Sequence, residues 1–192
     1  DEEHKFGVRQ KEQIRSLKNG INVISLSATP IPRTLNLSLS KVRDISLITT
    51  PPTGRKSVKT IVSRYSKSLV FEAIQREFYR DGQVFYLLNN VSMLEEKKKE
   101  ISDRFPGKKI AFAHGQLRPK ELSKVMESFI RKEIDLLVCT TIIESGIDIE
   151  NANTLIVEES ENYGLSQLHQ IRGRVGRSKR EAYAYFFLNE NK

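Results

Sequence analysis

Short runs of β-branched and other apolar residues alternate with stretches of helical spacing along almost the whole chain. Residues 22–26, 58–62, 83–88, 109–113, 135–139 and 154–158 are expected to be strands. Several are apolar on both faces, as parallel strands covered by helices are. Between them, Leu122, Val125, Met126, Phe129 and Ile130 recur at helical intervals and predict a helix from 119 to about 131. Helices are also expected over 68–79 and 93–105, and a shorter one over 165–171. Strands alternating with helices predict right-handed βαβ units and a parallel, doubly wound α/β sheet.

One break interrupts the alternation. Thr49, Thr50, Pro51, Pro52, Thr53 and Gly54 can continue neither a helix nor a central strand. A linker is therefore expected over 51–57. It separates 1–50, with a single strand and two helical stretches, from 58–192, which has strands enough for a whole sheet domain. The run 95–100 is dense in charge and is expected to be a solvated helix face.

With 192 residues, 38% of them hydrophobic, the chain can bury a core. No apolar run approaches the ~18 residues of a membrane span, and the acidic start at Asp1 is unlike a signal peptide. A cytoplasmic location is expected. The one cysteine, Cys139, lies in an apolar run and is read as core; it fits a reducing compartment. Lys and Arg number 32 against 24 acids, a net charge of +8. That excess suits a polyanionic partner, though also a merely basic protein.

Four stretches carry candidate chemistry. Asp1, Glu2, Glu3 and His4 place carboxylates together, as water-mediated Mg²⁺ binding and activation of a hydrolytic water require; a solvated terminus is the plain alternative. Ser27, Ala28 and Thr29 follow the expected strand 22–26, where hydroxyls report on a ligand or simply cap a helix. Thr140 and Thr141, with Gly146 and Asp148 beyond, follow the strand 135–139. Ligands of open α/β sheets bind at such carboxyl ends, and threonine hydroxyls suit a nucleic-acid phosphate; a capping threonine and a turn glycine would look the same. His114 and Gly115, and Asn89 with Asn90, end two more strands and suit weaker phosphate contacts.

The most specific stretch runs from Gln170 to Arg177. Arg172, Gly173, Arg174, Gly176 and Arg177 crowd together, although glycine weakens helices and like charges repel. Guanidinium groups aimed at a transferring phosphoryl group explain the arrangement; a simple basic patch needs no glycine spacing. No G-x-x-x-x-G-K-[ST] loop occurs in the chain.

In this order the four stretches resemble the second half of a superfamily 2 helicase motor. Asp1 to His4 resembles its DExH box, Ser27 to Thr29 its coupling motif and Thr140 to Asp148 its fifth motif. Gln170 to Arg177 matches its Q-x-x-G-R-x-G-R sixth motif at each defined position. Within that superfamily the chain is similar to the bacterial transcription-repair coupling factors, through Glu3, Asn36 and the run from His114 to Met126. The fork-reversing, branch-migrating DNA helicases are the neighbouring alternative.

The resemblance implies a complete RecA-like second lobe preceded by the C-terminal remnant of a first. It implies ATP and Mg²⁺ as cofactors and double-stranded DNA as partner. RNA polymerase and an excision-repair protein would be met through other domains. Asp1 would hold Mg²⁺ through water, and Glu2 would act on the attacking water. His4 and Ser27 to Thr29 would couple nucleotide state to DNA grip. Gly146 and Asp148 would face the nucleotide, Thr140 and Thr141 the DNA. Arg174 and Arg177 would reach the γ-phosphate, steadied by Gln170. Lacking the phosphate loop, the chain by itself is expected not to hydrolyse ATP. A non-catalytic nucleic-acid-binding α/β module is the contrasting expectation.

Overall fold

Six parallel strands form one sheet in the order β1-β6-β5-β2-β4-β3. They are β1 (Lys59–Arg64), β2 (Gln83–Leu87), β3 (Ile110–Ala113), β4 (Leu136–Cys139), β5 (Ala152–Val157) and β6 (Tyr183–Leu188). The computed structural model describes residues 56–141 and 149–189, with isolated positions among the first 50. The chain divides into two compact units, Asp1–Pro51 and Pro52–Lys192. Of the strand expected at 22–26 only Ile24 is described; it is exposed and outside any strand.

Helices α1 (Lys67–Tyr79) and α2 (Leu94–Arg104) cover one face; α3 (Pro119–Ile130) and α4 (Leu165–Arg172) cover the other. The period of two in a strand makes this possible. Val84 and Tyr86 point to the α1/α2 side, Phe85 and Leu87 to the α3/α4 side. Both sets are buried, which is why β2 and β5 read as largely apolar segments without a polar face. Local chemistry starts the helices. Ser66 caps α1 through its hydroxyl, and Pro119 opens α3, where a missing N–H costs nothing.

Strand β6 was not among the expected strands. It slots between β1 and β5 and is gripped from above by α1. The Arg76 guanidinium lies 3.6 Å from the Tyr183 ring centroid and donates to the Tyr185 hydroxyl.

The charge run 95–100 is only partly a solvated face. Lys97 points inward, its side chain 12% exposed, and pairs with both Glu100 and Glu158. Tyr86, buried in the central strand, donates its hydroxyl hydrogen to the same Glu158 carboxylate. An apolar cation site at this point would be ruinous without those partners.

Candidate functional site

Every strand of a parallel sheet ends on the same side, so candidate residues sort by which edge they occupy. Ala113 and Cys139 are registered partners on β3 and β4. The residues that follow, His114 and Thr140, therefore emerge side by side at the carboxyl edge. The Thr140 N–H donates to the Ala113 carbonyl at 3.4 Å, binding the two strand ends together. Gly115 is exposed, while His114, Thr140 and Thr141 are half-buried. The His114 ring lies parallel to that of Phe112, at an interplanar angle of 3°. Just beyond, Arg118 and Lys120 are exposed at the start of α3 and add positive charge that the sequence pattern did not single out.

Asn90, at the end of β2, has a local duty. Its side-chain oxygen accepts from the Ser92 N–H at 3.1 Å and the Ser92 hydroxyl at 2.7 Å, capping a short 3₁₀ turn.

The arginine run occupies the opposite edge. Helix α4 leaves the end of β5 and returns along the sheet, delivering residues 173–177 to the amino ends of the strands. The Gly176 N–H donates to the carbonyl of Ala152, first residue of β5, at 3.3 Å. Six residues of β5 separate that edge from the carboxyl edge, about 20 Å at ~3.3 Å per residue. The chain thus brings His114, Gly115, Thr140 and Thr141 together at one edge. Gln170, Arg174 and Arg177 gather near the other.

Gly176 has φ +75°, and a Cβ there would sit 2.9 Å from the Ala182 Cβ and 3.0 Å from a Val58 methyl. Glycine is required at this turn for both reasons. Arg172 is tied locally: its guanidinium reaches Thr60 at 3.5 Å and His169 Nδ1 at 3.2 Å. Arg174 and Arg177 are half-buried on either side of Val175 and Gly176, which are buried. Guanidinium groups are suited to bidentate contact with carboxylate or phosphate oxygens.

Asp1, Glu2, Glu3, His4, Ser27, Ala28, Thr29, Gly146 and Asp148 lie outside the described residues. Among the described residues no group of three or more His, Cys, Asp or Glu side chains could hold a metal ion.

Two features escaped the sequence pattern. One is Asn153, polar and fully buried in β5 beside the buried Thr154; nothing in the local residue pattern set it apart. The other is the Lys97–Glu158 pair, beside a shallow cleft of about 170 Å³ lined by Tyr65, Glu158, Glu159, Leu188 and Asn189. Burial alone would lower the Lys97 ammonium, but Glu158 and Glu100 outweigh it and hold it above the ordinary lysine range. Burial, and after it Glu158, raises the Tyr86 hydroxyl well above the usual tyrosine value.

Residues 67–179 match the model of the helicase conserved C-terminal domain. Transcription-repair-coupling factors of Staphylococcus aureus and Staphylococcus haemolyticus are each 53% identical over all 192 residues. The chain spans 16% of the length of these relatives. Among solved structures, RecG bound to a three-way DNA junction is 37% identical, with a TM-score of 0.71 over 86% of this chain and 22% of that one. Yeast Dbp5 bound to RNA and ADP BeF3 shares the fold, with a TM-score of 0.66 at 15% identity over 95% of this chain and 49% of that one.

Proposed function

Because this chain belongs to the helicase conserved C-terminal domain family, we propose that it supplies the second motor lobe of an ATP-driven, double-stranded DNA translocase of transcription-coupled repair. The 53% identity to transcription-repair-coupling factors along its whole length favours that substrate class over branch migration, to which the RecG likeness is the weaker pointer. In this reading the remnant of a first lobe spans 1–50, a linker 51–57 and the complete lobe 58–192. RNA polymerase and an excision-repair protein are met by parts of the longer protein beyond this chain.

The observation that carries the mechanism is the placement of phosphate-binding groups at two opposite edges of one stiff sheet. At the amino edge, Arg174 and Arg177 present positive charge to the γ-phosphate of a nucleotide held by a neighbouring lobe. They stabilise the charge that spreads over the transferring phosphoryl group. Gln170 steadies Arg174 from the last turn of α4. At the carboxyl edge, Thr140, Thr141, His114 and Gly115 meet the DNA backbone through hydroxyls, imidazole and close main-chain approach. Because β4 and β5 connect the edges without a joint, closure of the lobes over nucleotide reorients the DNA contacts as a rigid unit. Asp1 would hold Mg²⁺ through water, and Glu2 would act on the attacking water. His4 and Ser27 to Thr29 couple the two events, with Gly146 and Asp148 on the nucleotide side. ATP supplies the energy.

Arg177→Ala in the intact translocase is the direct test. DNA-stimulated phosphate release should fall by about 10³-fold while ATP binding stays within a few-fold of the parent. Unchanged turnover, with lost DNA affinity and a flatter salt dependence, would mark a phosphate-docking module instead.

A further inference from the structure

The turn that carries Arg177 is pinned at two successive residues of the buried strand β5. The Gly176 N–H donates to the Ala152 carbonyl at 3.3 Å. Two residues further along the turn, the Ser178 hydroxyl donates to Asn153 Oδ1 at 2.8 Å. Asn153 is fully buried, and its Nδ2 donates to the Asn151 carbonyl at 3.0 Å. The Ser178 oxygen also accepts from the Arg180 N–H at 3.2 Å, which closes the turn on its far side. Arg177 is the residue between the two pins.

A buried amide is an odd choice for an interior strand, where a β-branched residue would pack without desolvating polar groups. Here both ends of the amide have partners, and one of them is in the arginine turn. A surface turn left to itself samples many positions, and a guanidinium displaced by an ångström loses much of its hold on a transition state. The tie to β5 removes that freedom before any nucleotide arrives.

We propose that Asn153 and Ser178 are positioning residues that fix Arg177 for phosphoryl transfer. This rests on the assignment of Arg177 to the γ-phosphate made above.

The experiment uses the intact translocase with Ser178→Ala, Ser178→Thr, Arg177→Ala and the Ser178→Ala/Arg177→Ala double variant. Steady-state ATP turnover on duplex DNA and the thermal midpoint are measured for each. Ser178 is half-buried in a turn, so the alanine variant keeps its fold, with a midpoint lowered modestly because the buried Asn153 amide loses one partner. Its kcat should drop about tenfold with KM for ATP within twofold of the parent. Threonine, which retains the hydroxyl, should restore most of the loss. In the Arg177→Ala background, removal of the Ser178 hydroxyl should have no further effect, because it acts through a side chain already gone. Parental kcat in Ser178→Ala overturns the proposal. So does an equal loss in both backgrounds, which would mean a general structural effect. Undiminished turnover in Arg177→Ala alone overturns the assignment of the arginine itself, and the proposal with it.

Discussion

Lys97 Nζ lies 3.0 Å from a carboxylate oxygen of Glu158, joining helix α2 to the residue that follows strand β5. The side chains are 12% and 10% exposed, so water screens them little. Loss of one partner leaves the other in a poorly hydrated site. Lys97→Met should therefore lower unfolding free energy by about 3 kcal/mol, read from urea titrations. Burial alone would raise the Glu100 carboxyl, but Lys67 and Lys97 together outweigh it and hold it below its ordinary 4.5. A lowered carboxylate stabilises the fold above its unfolded value and gives that up as pH falls through the folded one. Stability of the parent should thus decline from about pH 4.5 downward, and Glu100→Gln should flatten that decline.

Gly176→Ala should cost about 2 kcal/mol, because a left-handed backbone disfavours any Cβ by about 1–2 kcal/mol and Ala182 and Val58 crowd the position. Chemical denaturation of the variant checks the figure. A loss below about 0.5 kcal/mol would mean that the turn relaxes freely, contrary to the pinning by Ala152 and Asn153.

Burial pushes the Cys139 thiol far above its usual value, and it lies fully covered in strand β4. A disulfide reagent should leave it unmodified in native buffer and react at once in denaturant. Rapid labelling of the native chain would contradict this.

At the carboxyl edge, charged and uncharged contacts should separate by their response to salt. Arg118→Ala in the intact translocase should weaken duplex binding and reduce the slope of log affinity against log salt by about one. Thr140→Val should weaken binding a few-fold with the slope unchanged, since a hydroxyl releases no counterion. Fluorescence anisotropy across a salt series distinguishes them.

Parallel βα alternation was legible from apolar periodicity because β2, β4 and β5 are buried on both faces. Strand β6 was not, although Tyr183, Tyr185 and Phe187 alternate as strand residues do. Its place depends on β1 and β5, which lie far from it in sequence. The same distance hid Lys97: a helix position inside a charge run turns inward only because Glu158, just past another strand, waits there. The arginine cluster stood out from its glycine spacing. Its edge did not, because that follows from the return path of α4 and not from residue types. Asn153 did not stand out in the sequence, and its meaning needed Ser178 beside it.

The pairing of β1 with β6 has a consequence for how the lobe is made. Lys59, near the start of the lobe, finds its partner only when Tyr183 exists. As the chain emerges from the ribosome, β2, β4 and β3 can pair early through single helical crossovers, while β1 waits with its hydrogen-bonding groups unclaimed. Synthesis halted before residue 183 would strand β1 and leave the flank of β5 open to other chains, a nascent species suited to chaperone capture.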